Sequence, residues 1–225
     1  MGAATQLRSD YTAIALIVDR SGSMESVAED TRGGIKQFIT TQKQNKEKAS
    51  FTLVQFDHEY QVLNNFSDLS KVDQDAFAKQ YQPRGSTALL DAIGRTVIEM
   101  SQKIEKMNPS ERPAHVVVAI VTDGQENASR EFTIAKVKKL IEENQARGWD
   151  FVFLGADLGA ITVAQNCGLA AGQTAYYQSS NIVGAFDSIG KHVLSARQGN
   201  KVLFSSDERK QLAVERPNTS LPRAV

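Results

Sequence analysis

The chain has 225 residues, enough for one large domain that buries about 70% of the surface its unfolded form exposes, with no need for a second core. Its 41% apolar and 23% charged residues are those of an ordinary soluble globular protein. Lys plus Arg equals Asp plus Glu at 26 each, so no global field draws in nucleic acid or an acidic membrane. No apolar run approaches the roughly eighteen residues of a membrane span. Cys167 is the one cysteine, which excludes an intrachain disulfide and fits a reducing compartment. Met1 to Arg8 lacks the apolar core of a signal peptide, and Gln6 stands where a myristoylation motif wants Ser or Thr. A cytoplasmic protein is expected.

In chain order, Tyr11 to Val18 is apolar and β-branched throughout, the pattern of a strand buried on both faces. Val27, Thr31, Gly34, Ile35 and Phe38 mark one face of a helix from near Glu25 to about Lys43. The Gly33-Gly34 pair within it reads as allowing close approach to the sheet, or as a kink. Phe51 to Phe56 and Glu59 to Leu63 flank Asp57-His58 as a hairpin. Leu69 to Gln80 reads as a short helix. Leu90, Ile93, Val97, Met100 and Ile104 stripe a longer one from Ala88 to Lys103, stopped by Asn108 to Pro113 ahead of the strand His115 to Val121. Ile134, Val137, Leu140 and Ile141 are expected to face inward on the next helix. Trp149 to Leu154 is a strand, Leu158 to Gln165 a short helix, Ala171 to Tyr176 a weak strand and Ser180 to Arg197 a helix. This alternation predicts an α/β fold, Rossmann-like and doubly wound, with a mainly parallel central sheet, one antiparallel edge strand and helices on both faces. The domain is expected over residues 10–200. Residues 201–225 read as a partly flexible C-terminal extension, in which Lys201 to Phe204 is apolar enough to dock, Asp207 to Arg216 suits a helix and Pro217 to Arg223 is a tail.

Asp19-Arg20-Ser21-Gly22-Ser23 directly follows the first strand and sets a carboxylate and two hydroxyls at every second position. In open α/β sheets the crevice outside the carboxyl ends of the strands is the usual ligand position. An oxygen-only set there suits Mg²⁺ or Mn²⁺ rather than zinc, since neither Cys nor His accompanies it. Arg84-Gly85-Ser86-Thr87 brings a further hydroxyl just before a helix, and Thr122-Asp123-Gly124 ends a strand with a second carboxylate. Each piece has a plainer reading alone: Asp19 or Thr87 as a helix cap, Asp123-Gly124 as a turn. Taken jointly at strand ends, they point to a metal site.

In these residues the chain resembles the von Willebrand factor A family, whose metal-ion-dependent adhesion site reads Asp-x-Ser-x-Ser, then a loop threonine, then a loop aspartate. The matching positions are Asp19, Ser21, Ser23, Thr87 and Asp123. The resemblance covers residues 10 to about 200. It is closest in kind to stand-alone bacterial or bacteriophage members, through Asp-Arg-Ser-Gly-Ser-Met, Arg-Gly-Ser-Thr-Ala-Leu-Leu-Asp-Ala-Ile-Gly and Thr-Asp-Gly-Gln-Glu-Asn. It implies that the hydroxyls bind Mg²⁺, with Mn²⁺ or Ca²⁺ as alternatives, that the aspartates bind directly or through water, and that one coordination position stays free. An Asp or Glu of a protein partner would fill that position. The resemblance implies an adaptor role toward a protein, sometimes an ATPase or a larger assembly; some relatives sit within RNA-binding particles, but balanced charge and the absence of an aromatic-basic motif argue against nucleic acid, and no apolar run argues for a membrane.

The alternative is a small Mg²⁺-dependent phosphohydrolase, since such an ion can clamp phosphate oxygens and polarise water. Against it, no Gly-x-x-x-x-Gly-Lys-Ser/Thr loop or Gly-x-Ser-x-Gly elbow occurs, and Ser21 stands where a second, acid-donating aspartate is needed. The expectation is therefore no enzyme. Near the site, Arg20 is expected to point to solvent and meet an incoming carboxylate. Asp91 is expected to support Thr87, Glu126 and Asn127 to shape partner choice, and Asp157 to cap a helix rather than approach the ion.

Overall fold

Six strands hydrogen-bond in the order β3-β2-β1-β4-β5-β6. They are β1 (Arg8–Asp19), β2 (Lys48–Phe56), β3 (Tyr60–Asp68), β4 (Pro113–Thr122), β5 (Trp149–Gly155) and β6 (Thr174–Tyr176). The structure, a computed structural model, describes residues 7–201 and 203–215. Every neighbouring pair is parallel except β2 with β3, so the antiparallel strand lies at one edge, as the Asp57-His58 hairpin predicts. Among the described residues seven α-helices accompany the sheet: α1 (Ala28–Gln44), α2 (Gln74–Lys79), α3 (Leu89–Lys106), α4 (Ile134–Ala146), α5 (Leu158–Asn166), α6 (Ile182–Arg197) and α7 (Ser206–Leu212).

The central strand shows why the fold has two layers of helix. Ile14, Leu16 and Val18 of β1 pack toward α1 and α6, while Ala13, Ala15 and Ile17 pack toward α3, α4 and α5. All six are fully buried. Each large side chain among them contributes about 1.5–3 kcal/mol by leaving water. Burial on both faces removes the need for polar alternation, and the strand reads as one apolar run.

The structure departs from the sequence reading in four places. Leu69 to Gln80 is split: a 3₁₀ turn at Leu69–Lys71 precedes α2, because the Asp73 carboxylate accepts the N–H groups of Asp75 and Ala76 and caps a new helix. The stretch Ala171 to Tyr176 is strand only from Thr174, after a 3₁₀ turn. Ile134 begins α4 at 38% exposure instead of facing inward. The Gly33-Gly34 pair serves a neighbouring helix and not the sheet. A Cβ on Gly34 would lie 2.1 Å from Cδ2 of Phe186 on α6, whereas one on Gly33 meets nothing within 4 Å.

The C-terminal segment packs on the β6 side. Phe204 and Leu212 join the core between the sheet, α1 and α6. Arg209 donates to the carbonyl of Thr174 (2.7 Å), and Gln178 N–H donates to that of Leu212 (2.9 Å). The Pro217 to Arg223 tail lies outside the described residues.

Replacing Gly34 by Ala is expected to destabilise the protein by about 1–3 kcal/mol through overpacking against Phe186. Replacing its neighbour Gly33 by Ala should instead stabilise it by up to about 1 kcal/mol, since only helix propensity changes. Urea denaturation of the two single variants checks the opposite signs.

Candidate metal centre

The sheet register brings the distant motif pieces together. Val18 pairs with Val121, so Asp19 emerges from β1 beside Thr122 and one residue short of Asp123. Asp19 is fully buried, and its carboxylate is held from two sides: Oδ1 accepts Ser21 N–H at 2.7 Å, and Oδ2 accepts the Thr122 hydroxyl. Its backbone carbonyl accepts the Tyr81 hydroxyl at 2.6 Å. Ser21 Oγ lies 3.1 Å from Ser23 Oγ, and Ser23 Oγ donates to Asp123 Oδ1 at 2.7 Å.

Thr87 arrives from the loop before α3. Its N–H donates to Asn127 Oδ1 at 2.9 Å, and its carbonyl accepts the N–H groups of Asn127 and Ala128 at 3.0 and 3.1 Å. The cap of α3 is Ala88, with no side-chain hydrogen bond, so the Thr87 hydroxyl is not spent on capping. Gly124 marks where the hydroxyls meet. A Cβ there would sit 3.0 Å from Thr87 Oγ1, 3.5 Å from Ser23 Oγ and 3.6 Å from Ser21 Oγ. The five residues Asp19, Ser21, Ser23, Thr87 and Asp123 therefore line one crevice, with Ser21 and Thr87 buried, Asp123 half-buried and Ser23 exposed at its mouth.

The donors are two carboxylates and three hydroxyls, all hard oxygens, and among the described residues no group of three or more His, Cys, Asp or Glu forms a separate metal cluster. Burial pushes the Asp19 carboxyl from 3.8 up to about 6; hydrogen bonds from Thr122 and Ser21 pull it back, and the Asp123 charge adds to the rise. Burial also raises Asp123, opposed by the Ser23 hydroxyl. Tyr177 is fully buried, its hydroxyl without a hydrogen-bond partner among the described residues and raised by burial and then by the charges of Asp123 and Asp19. The crevice is thus electronegative and poorly hydrated. The donor set, the crevice that a Gly124 Cβ would fill and the excess negative charge all fit a small divalent cation.

Several surrounding residues act differently from the sequence reading. Arg20 does not point to solvent: it is 5% exposed, its Nε lies 3.1 Å from Asp57 Oδ2, and its Nη1 donates to Gln61 Oε1 at 2.8 Å. The reason is the fully buried carboxylate of Asp57, which requires counter-charge and also accepts from Arg84 Nε at 2.8 Å. Asp91 does not touch Thr87. Its carboxylate accepts the N–H groups of Arg130, Glu131 and Phe132 at 2.9–3.0 Å and fixes the far end of the loop after β4. Glu126 turns inward, accepting from the N–H groups of Leu90, Ala128 and Ser129 and from the Ser129 hydroxyl. Asn127 carries the Thr87 N–H, and Asp157 caps α5 through Gly159 and Ala160 N–H. Sequence reasoning missed Asp57, Tyr81 and Thr122. Thr122 alone had a signal, as the strand-end neighbour of Asp123 facing the Asp19 strand.

Because the Asp19 carboxyl is raised in the folded state, the metal-free protein holds that proton more tightly than the unfolded chain does. The associated stability is fully present below about pH 4 and is lost as pH rises through about 6, an effect on the order of 3 kcal/mol. In chelator, Asp19→Asn is expected to have the higher Tm at pH 7, with the gap to wild type closing toward pH 5. A gap independent of pH would show that Asp19 is not the titrating group.

A von Willebrand factor type A domain model matches residues 13–191. Solved structures similar to this one include a von Willebrand factor type A protein from Catenulispora acidiphila, at 11% identity over 82% of this chain and 43% of that one, with TM-score 0.58. The vWF domain of the type V pili tip protein from Porphyromonas gingivalis aligns at 12% identity over 87% and 98% of the two chains, TM-score 0.61. Proximal thread matrix protein 1 from the mussel byssus, with a zinc-occupied MIDAS motif, aligns at 16% over 80% and 45%, TM-score 0.58. At such identities the likeness is one of fold, and the chain spans 43% of the length of the Catenulispora protein and 45% of that of the mussel protein. No curated protein sequence matches.

Proposed function

The chain belongs to the von Willebrand factor type A domain family, and from that premise we propose that it is a metal-dependent protein-interaction module. In this reading Asp19, Ser21, Ser23, Thr87 and Asp123 hold Mg²⁺, and an Asp or Glu of a partner protein supplies a further ligand. Domains of this family typically mediate protein–protein interactions. The observation that carries the reading is the meeting of three hydroxyls around one point beside Gly124, flanked by two carboxylates whose ionisation burial opposes.

When bound, Mg²⁺ supplies a hard cation that demands near-octahedral oxygen ligation and parts reluctantly with its waters. Ser21, Ser23 and Thr87 contribute neutral oxygens, so charge compensation falls to the two aspartates. Asp19 already shares its oxygens with Thr122 and Ser21 N–H, and Asp123 shares one with Ser23, which weakens both as anionic ligands. A partner's carboxylate meets the remaining demand at the exposed mouth near Ser23. The all-oxygen donors favour Mg²⁺ or Mn²⁺, with Ca²⁺ an alternative; zinc occupies the motif of the mussel protein.

The phosphohydrolase reading finds little support in the histidines. His58 packs over Gly85 with Nδ1 3.4 Å from Asp57 Oδ1, and His192 sits 3.1 Å from Glu208 on α7, so neither is placed as a base toward Ser21 or Ser23. Among the described residues no helix is long and apolar enough to cross a membrane. An adaptor within a larger assembly is the corresponding proposal for its cellular role.

Mg²⁺ at a hundred times its Kd is expected to stabilise the fold by about 2.7 kcal/mol, reversibly in EDTA. Ser21→Ala/Ser23→Ala should weaken Mg²⁺ binding by at least about tenfold in calorimetry. Gly124→Ala, whose methyl would occupy the space between the hydroxyls, should abolish the Mg²⁺ response while circular dichroism stays unchanged. Equal Tm values in Mg²⁺ and EDTA for the wild type would refute the metal site. A partner retained equally in EDTA and by the double variant would refute metal-dependent capture.

A further inference from the structure

Beside Thr87 a groove of about 460 Å³ opens along the loop that follows β4, bordered by His58 and Ser86 on one side and by Asn127, Ser129 and Arg130 on the other. It neighbours the candidate metal site, because Ser86 adjoins Thr87 in sequence and Asn127 receives the Thr87 N–H. We propose that this groove receives the partner segment flanking the metal-bound acid, and that this segment carries a second carboxylate, which Arg130 binds. The inference rests on the metal-dependent reading of the site and specifies the partner's chemistry.

The charges of the groove support the assignment. Asp91, in the first turn of α3, lines the groove, and three backbone N–H groups occupy its carboxylate. Glu131 is engaged by the Arg95 guanidinium, which donates Nε–H at 2.8 Å and a second N–H alongside. Arg130 is exposed, and among the described residues its guanidinium has neither an ion pair nor a hydrogen bond; only its N–H is used, by Asp91. His58, half-exposed across the groove, adds no negative charge. Two arginines and two acids leave the lining neutral overall, and of these four the Arg130 guanidinium is the one charged group with no partner among the described residues. A guanidinium presents a planar pair of donors that matches a carboxylate in two-point contact. Arg20, the other candidate for this role, is buried against Asp57.

The groove is also prepared for a ligand. Residues 124–133 contain no helix or strand, yet Asp91, Glu126 and Asn127 accept from eight donors between them, most on this loop. A loop held in place this way loses little entropy when a partner docks.

Acetylated, amidated glycine peptides test the proposal. One series carries Glu followed, after one to five glycines, by Asp; the control series replaces that Asp by Asn. Each is titrated into ¹⁵N-labelled, Mg²⁺-loaded protein. At one or two spacings the two-acid peptide is expected to bind about twofold to fivefold more tightly than its control, the range of an exposed ion pair, and to shift the amide signals of Ser86 and Arg130. Arg130→Gln should erase that advantage. Lys139→Gln, the same charge change on the outer face of α4, should keep it. Equal affinities at every spacing, or an advantage that survives Arg130→Gln, would overturn the proposal. Failure of the control peptides to bind in Mg²⁺, when calorimetry shows the ion bound, would instead overturn partner capture through the metal, and this proposal with it.

Discussion

The parallel register between β1 and β4 is the constraint on which the site depends. Pairing Val18 with Val121 places a carboxylate from each strand end over the same crevice, where loss of hydration opposes ionisation of both and the Asp123 charge adds to the effect on Asp19. A shift of one residue would turn the apolar side chains of β1 to the wrong helical layer, so the core enforces the register. Packing of the two layers thereby holds the acids close despite their electrostatic cost. The same arrangement makes a cation the natural counterpart of the crevice.

The second support is ionic. Asp57, at the tip of the β2–β3 hairpin, is fully buried and faces two arginines, one from the loop after β1 and one from the loop before α3. Backbone bonds reinforce this junction: Arg84 N–H reaches the Arg20 carbonyl at 2.7 Å, Ala88 N–H the Asp57 carbonyl at 2.8 Å and Gly22 N–H the Gly85 carbonyl at 3.0 Å. Thr87 is therefore fixed between Asp57 on one side and Asn127 on the other. Irregular loops carry the candidate ligands, but hydrogen bonds leave them little conformational freedom. Such preorganisation favours affinity by reducing the ordering cost of binding.

At the opposite edge of the sheet, the C-terminal segment covers a three-residue strand. Arg209 occupies the Thr174 carbonyl, and Leu212 and Phe204 cover apolar surface beside α6. An uncovered β6 would present free backbone groups, so α7 protects the edge as well as extending the core.

Much of the architecture was legible from the chain itself. Continuous apolar runs mark β1, β4 and β5 because strands buried on both faces need no alternation, and three- and four-residue spacing marks α3 and α6. The residue types Asp19, Ser21, Ser23, Thr87 and Asp123, in that order at strand and helix ends, named the candidate ligands and the hard-cation chemistry. Local order says nothing of what a side chain meets across the fold. Arg20 reads as a surface arginine until the hairpin folds over and sets Asp57 against it; Gly34 reads as a point of approach to the sheet or a kink until Phe186 of α6 packs on it. Asp91 reads as a support for Thr87 and Glu126 as a residue that shapes partner choice, yet N–H groups of the loop 130–132 claim Asp91, and those of Leu90, Ala128 and Ser129 claim Glu126. The sequence by itself determined the element types and the donor chemistry, since those follow from periodicity and side-chain identity. Tertiary structure decided which polar groups are consumed internally and which, like the Arg130 guanidinium, stay without a partner among the described residues, because burial and long-range hydrogen bonds exist only once the layers have closed.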